Sequence, residues 1–260
     1  MTATATVPAK PPGRVIARLD IKGPNLVKGI HLEGLRIMGD PAAHALRYYG
    51  EGADELIYVD IVASLYERNN LADVVDRTAA HLFVPLTVGG GIRSITDITT
   101  LLRAGADKVA INTGAIRRPE LIREASRLFG SQCIVLSIEA KRQPDGHWEA
   151  YTDNGRERTG LDAIEWAKRA VDLGAGEVLL TSVDREGTKK GFELSLIQQL
   201  GPALGVPVIA SGGAGSVDDV GAAFDAGADA VAVAGLFHYK TETVASLKSG
   251  LSSRGYRVRM

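Results

Sequence analysis

Two carboxylates and two glycine clusters are the residues of this 260-residue chain that could do chemistry. Asp20 ends one apolar run, in Arg18-Leu19-Asp20-Ile21-Lys22, and Glu139 ends another, in Ser137-Ile138-Glu139-Ala140-Lys141. Two carboxylates on opposite walls of one site can divide proton donation from proton removal. Each could instead cap its own loop or pair with Lys22 or Lys141. Gly89-Gly90-Gly91 and Ser211-Gly212-Gly213 follow apolar runs and precede helical patterns. Backbone N–H groups approach a phosphate closely only where side chains are absent, and a helix N-terminus adds a favourable field. A tight turn with no ligand is the rival reading. Second loops at Asn112-Thr113-Gly114 and Ala234-Gly235 extend each cluster. Asp60, Thr181, Ser182 and Asp184 also end apolar runs, as ligand contacts or as helix caps.

The elements that must hold these residues repeat once along the chain. Val84 to Gly91, continued at Ala104-Gly105-Ala106-Asp107, matches Val206 to Gly213, continued at Ala226-Gly227-Ala228-Asp229, at an offset of 122 residues. Gly52 to Ile57 maps onto Gly174 to Leu179 at the same offset. Short apolar runs at 14–20, 56–61, 84–88, 108–111, 133–139, 178–182, 206–211 and 231–234 alternate with amphipathic stretches such as 41–51, 95–104, 119–129 and 163–173. This is the rhythm of parallel strands joined by helices and covered on both faces. Eight strands in two related halves predict a single (β/α)8 barrel over 14–260, behind a disordered lead-in at 1–13. The half-barrel offset sets Asp20 and Glu139 across the barrel mouth from each other. It also sets two phosphate loops on opposite sides, a geometry for a long substrate with a phosphate at each end. The segment from Ile21 to Gly39 reads as a long, basic loop. That from Lys141 to Gly160 reads as a turn followed by a small hairpin around Trp148 to Thr152.

Composition narrows the function classes. Thirty basic and 31 acidic side chains give a net charge of −1, so no global field points to nucleic acid or to an anionic membrane. No apolar run reaches the roughly 18 residues of a membrane span. The single cysteine, Cys133, fits a reducing cytoplasm and, between apolar neighbours, reads as a buried structural thiol. The five histidines show no mutual metal spacing, and neither a metal nor a cofactor is expected. Arg14, Glu55, Lys108 and Glu177 begin strands at the other barrel end, two of each sign. They could form a charged ring that seals the core or gates it for a small molecule. Arg185-Glu186-Gly187-Thr188-Lys189 reads as a loop able to close over a ligand.

From Arg14 to Phe237 the chain resembles the cyclase subunit of imidazole glycerol phosphate synthase, an enzyme of histidine biosynthesis. The resemblance is carried by Leu19-Asp20-Ile21-Lys22, Val27-Lys28-Gly29, Asp54-Glu55-Leu56 and Thr87-Val88-Gly89-Gly90-Gly91-Ile92. It continues through Gly105-Ala106-Asp107-Lys108-Val109, Ile111-Asn112-Thr113, Phe129-Gly130-Ser131-Gln132 and Gly174-Ala175-Gly176-Glu177. Leu180-Thr181-Ser182-Val183-Asp184-Arg185, Gly187-Thr188 and Ala210-Ser211-Gly212-Gly213-Ala214-Gly215 complete it. The resemblance implies a barrel paired with a class I glutaminase subunit as a heterodimer. Ammonia from the glutaminase would meet a bisphosphorylated ribulosyl formimino-carboxamide nucleotide, giving imidazole glycerol phosphate and an aminoimidazole carboxamide ribotide. It implies catalysis by Asp20 and Glu139. Gly91, Asn112, Thr113, Gly212 and Gly213 match the family's phosphate region, and Lys28, Asp60, Gly90, Thr181, Asp184, Ser211 and Gly235 complete the expected substrate- and phosphate-binding set. Arg14, Glu55, Lys108 and Glu177 would form the ammonia gate, and Asp107 would face the glutaminase.

Three positions depart from the family pattern. Glu139 replaces an aspartate and moves the carboxyl by about 1.5 Å, a shift on the scale that matters to oriented catalysis. Gly235 replaces a serine, and Arg18 replaces a cysteine with a large cation that points either outward or into the mouth. These departures keep three alternatives in view: ammonia-dependent amidation of a nucleotide- or lipid-linked sugar in surface-glycan synthesis, an isomerase of the sister-barrel type, and a phosphate-binding scaffold that docks a glutaminase.

Overall fold

The computed structural model describes residues 11–63 and 71–260. Most of the expected N-terminal lead-in therefore lies outside the described residues. Gly13 already belongs to the ordered barrel: it bridges Val258, and its N–H donates to Arg257 O at 2.8 Å. In chain order the strands are β1 (Arg14–Lys22), β2 (Asn25–Ile30), β3 (Glu33–Gly39), β4 (Glu55–Asp60), β5 (Leu86–Gly89) and β6 (Lys108–Ile111). They continue with β7 (Ile134–Arg142), β8 (Trp148–Thr152), β9 (Glu157–Asp162), β10 (Glu177–Ser182), β11 (Val208–Ser211) and β12 (Ala230–Val233). Eight of these pair in parallel in the order β1-β4-β5-β6-β7-β10-β11-β12, and β12 returns to β1. The sheet is closed, as the alternation of apolar and amphipathic runs predicts.

Helices pack around the closed sheet because each presents one apolar face and a defined start. Asp40 caps the helix Pro41–Gly50 by accepting Ala43 N–H at 2.8 Å, with Pro41 in the first turn, where its missing N–H does no harm. Ser94 and Ser216, one repeat apart, cap the helices Ile95–Arg103 and Val217–Asp225. The repeat therefore extends to the hydrogen bonds that start corresponding helices.

Strand alternation divides the barrel into layers, since successive side chains point to opposite faces. Along β1, Val15, Ala17, Leu19 and Ile21 belong to the outer core beneath the helices, whereas Ile16 belongs to a separate inner cluster. That inner cluster joins Ile16, Ile57, Ala110, Val135, Leu179, Ile209, Ala230 and Ala232, all buried. It is an apolar layer between a charged end and a polar mouth.

Two segments differ from the sequence expectation. The stretch after Asp20 is not an open loop: β1 runs on to Lys22, and β2 and β3 fold back as an antiparallel hairpin. The register Asp20↔Val27 and Lys22↔Asn25 supplies the backbone partners that a loop would lack. On the opposite wall β7 likewise extends to Arg142, and β8 and β9 form the expected hairpin with one strand more. Asp20 and Glu139 thus sit where barrel strands become hairpin arms, rather than at strand ends.

Candidate active site

β1 and β7 lie four strands apart in a ring of eight, so Asp20 and Glu139 stand on opposite walls of the mouth. The feature between them is Arg18. Period two places residues 14, 16, 18 and 20 on one face of β1, and Arg18 therefore points into the mouth. Its Nε donates to Asp20 Oδ1 at 2.9 Å, and its Nη1 donates to Thr181 Oγ1 at 2.9 Å and Ser211 Oγ at 3.0 Å. Arg18, Asp20, Thr181 and Ser211 are all buried. The alternation that makes Asp20 interior was the signal for the same placement of Arg18.

The two carboxyls differ in their electrostatics. Burial acts to raise the pKa of Asp20, but the Arg18 guanidinium, with Lys28, outweighs it and holds the carboxyl below its usual range. Burial pushes Glu139 up to about 7; the Gly155 N–H, at 2.7 Å from Oε2, and Arg18 offset this only in part. Near neutral pH one wall carries an ionised carboxylate and the other a carboxyl able to hold a proton. Such a split suits acid–base work.

Two cavities open into the mouth. The first, about 60 Å³, is bordered by Asp60, Gly89, Gly90, Gly91, Asn112, Thr113 and Glu139. A Cβ at Gly90 would stand 2.3 Å from Asp60 O, with φ at +103°, so this loop requires glycine at that point. Asn112 Nδ2 donates to Tyr151 O at 3.1 Å, and its buried Oδ1 has no hydrogen-bond partner among the described residues. Thr113 Oγ1 accepts Asp153 N–H at 3.3 Å. Burial raises the pKa of Asp60, whose Oδ1 accepts Val62 N–H at 3.0 Å.

The second cavity, about 320 Å³, is bordered by Arg18, Lys28, Glu186, Lys189, Ser211, Gly212, Gly213 and Gly235. A Cβ at Gly213 would lie 2.1 Å from Gly191 O. Lys28 forms a buried ion pair with Glu186, which also accepts Leu32 N–H at 3.0 Å. The loop 185–189 and the β2–β3 hairpin are therefore tied together over this cavity. Glu186 as that tie, and Asn154 and Tyr239 as cavity walls, have no local sequence signal, because each acts on a segment distant in the chain.

Not every expected residue reaches the cavities. Asp184 is exposed, and its Oδ2 accepts Arg142 N–H at 2.8 Å, so it braces the edge of β7. Asp20 borders neither cavity and lies beside Arg18. Thr181 reaches the mouth through Arg18. Cys133 is only half-buried, packed at the edge of the outer core.

At the opposite end of the barrel the four ring residues meet. Arg14 donates from Nη1 to Glu55 and from Nη2 to Glu177, both at 2.5 Å. Lys108 Nζ donates to the same two carboxylates at 2.9 and 2.8 Å. Burial acts to lower the pKa of both cations, and the paired glutamates raise it above the ordinary value. Asp107 lies beside the ring, exposed, with Oδ2 accepting Leu86 N–H at 2.8 Å. No helix among the described residues is long and apolar enough to cross a membrane.

Comparison with known proteins agrees with this architecture. Residues 14–243 match the family model described as histidine biosynthesis protein. A Legionella pneumophila protein named imidazole glycerol phosphate synthase subunit HisF is 61% identical over 206 residues, covering 79% of this chain and 97% of the relative. Proteins of the same name from Mycobacteroides abscessus and Thermobifida fusca are 51% and 52% identical, each covering 95% of this chain and 98% of the relative.

Proposed function

The chain belongs to the histidine biosynthesis protein family, and from that premise we propose that it is the cyclase subunit of an imidazole glycerol phosphate synthase. Ammonia reacts in the barrel mouth with the bisphosphorylated ribulosyl formimino-carboxamide nucleotide, giving imidazole glycerol phosphate and the aminoimidazole carboxamide ribotide. The observation that carries this reading is the pair of glycine-lined cavities in one mouth, with Glu139 on the wall of the first and Asp20 held by Arg18, which lines the second. Gly90, Gly91, Asn112 and Thr113 hold one phosphate, and Ser211, Gly212, Gly213 and Gly235 the other. Lys28 and Asp60 bind the substrate nearer its centre.

Asp20, kept ionised by Arg18, accepts a proton from the substrate. Glu139, poised near neutrality, donates one to the oxygen that leaves on ring closure. The charged ring admits ammonia from a glutaminase docked at the strand N-terminal end, where Asp107 belongs to the contact. Relatives named as this synthase subunit favour the reading over sugar amidation, isomerisation or a non-enzymatic scaffold.

The test is turnover of the histidine precursor with ammonium salt and no partner, followed by release of the carboxamide ribotide. No product at millimolar ammonium and saturating precursor would remove the assignment.

A further inference from the structure

Arg18 enters the second cavity with part of its guanidinium uncommitted. Nε and Nη1 are fixed by Asp20, Thr181 and Ser211, whereas Nη2 has no protein acceptor among the described residues. Three hydrogen bonds set the plane of the group and leave Nη2 as the uncommitted nitrogen of a residue that lines the cavity. A guanidinium held in this way has already lost the rotamer freedom that binding would otherwise cost, and the N–H groups of Nη2 remain to donate to a phosphate oxygen.

Two further observations say what that edge meets. Among the described residues, the lining of this cavity carries three cations, Arg18, Lys28 and Lys189, against one carboxylate, Glu186. Gly235 lines the same cavity, and a Cβ there would meet nothing nearer than Tyr239 Cδ2 at 3.9 Å. Its φ is not left-handed, so neither the backbone nor packing among the described residues requires glycine at that point. The space a side chain would fill is left open beside a free guanidinium edge.

We propose that Arg18 is a specificity-determining residue: its uncommitted Nη2 donates to the phosphate of a phosphate monoester that also meets the loop at Gly212 and Gly213, in the space left open at Gly235. The proposal rests on the reading of this cavity as a phosphate site. Arg18 then does two things at once, holding Asp20 on one edge and the substrate phosphate on the other. It sets the distance between the reacting centre and that end of the substrate.

Titration with inorganic phosphate, followed by calorimetry and by crystals soaked with the same anion, tests this without turnover. Two sites are expected in the wild type, with the second phosphate in contact with Arg18. Arg18→Lys keeps a charge for Asp20 but loses the separate Nη2 donor, and Arg18→Met loses both. Each should weaken the second site about ten- to hundredfold and leave the first within twofold, because a hydrogen bond to a charged group is lost. KM for the histidine precursor should rise by a similar factor in Arg18→Lys, with a smaller change in kcat. Gly235→Leu, whose side chain would fill the open space, should weaken the same site by occluding it. If Arg18→Met does not fold, Arg18→Lys decides. An unchanged second site in Arg18→Lys, or a second phosphate that does not touch Arg18, overturns the proposal. Failure of the cyclase assignment looks different: wild-type protein without turnover, but with the phosphate losses intact.

Discussion

Asp107 and Asp229, one repeat apart, make the same hydrogen bond: Asp107 Oδ2 accepts Leu86 N–H at 2.8 Å, and Asp229 Oδ2 accepts Val208 N–H at 2.9 Å. Each ties the residue just before one strand to the start of its neighbour. Asp107 is therefore a structural strap as well as a candidate docking residue, and the two roles need separate variants. Asp107→Asn keeps an acceptor oxygen and removes the charge. It should leave thermal stability nearly unchanged while weakening glutaminase binding several-fold. Asp107→Lys should also lose about 1–3 kcal/mol, because Leu86 N–H is left unpaired. Wild-type affinity in Asp107→Asn, measured by calorimetry with the cognate glutaminase, would confine Asp107 to its structural role.

Asp20→Asn keeps an oxygen for Arg18 Nε at almost constant volume, so the fold should persist. The loss of a proton-transfer group should lower ammonia-dependent kcat about 10²–10⁴-fold. Full activity in a folded Asp20→Asn protein would take Asp20 out of the chemistry.

Glu139 predicts a pH dependence of stability. Its pKa rises from 4.5 in the unfolded chain to about 7 in the folded protein, so the folded state holds the proton more tightly. The resulting stabilisation is fully present below pH 4.5 and is lost as pH rises through 7. Relative to Glu139→Gln, the wild type should therefore lose stability between these pH values and level off above. Denaturant unfolding of both proteins across pH 4.5–8 checks the sign. Parallel curves would mean that Glu139 titrates as an ordinary surface carboxyl.

Lys108→Met leaves Glu55 and Glu177 with Arg14 as their one remaining ring cation. Stability should fall by up to about 3 kcal/mol, since two buried carboxylates lose a shared partner. If the ring gates ammonia, glutamine-driven turnover in the reconstituted complex should change relative to turnover driven by ammonium salt. An unaltered ratio between the two rates would make the ring a structural seal.

The sequence by itself determined the barrel, its internal repeat and the strands that carry the polar residues. Those properties follow from periodicity: apolar runs bounded by turns, and glycine clusters at one fixed offset. Period two along β1 even implies that Arg18 shares a face with Asp20. The tertiary structure decided what these neighbours do to one another. It turned the stretch after Asp20 into a hairpin, because backbone groups at the rim of the barrel need partners that β1 can supply. It placed Arg18 against Asp20, Thr181 and Ser211, sent Asp184 to the rim and joined Glu186 to Lys28, although 158 residues separate that last pair. Glu139 keeps its proton to about pH 7 because the packed mouth around it strips water from its carboxyl, and that desolvation is a property of packing rather than of local sequence.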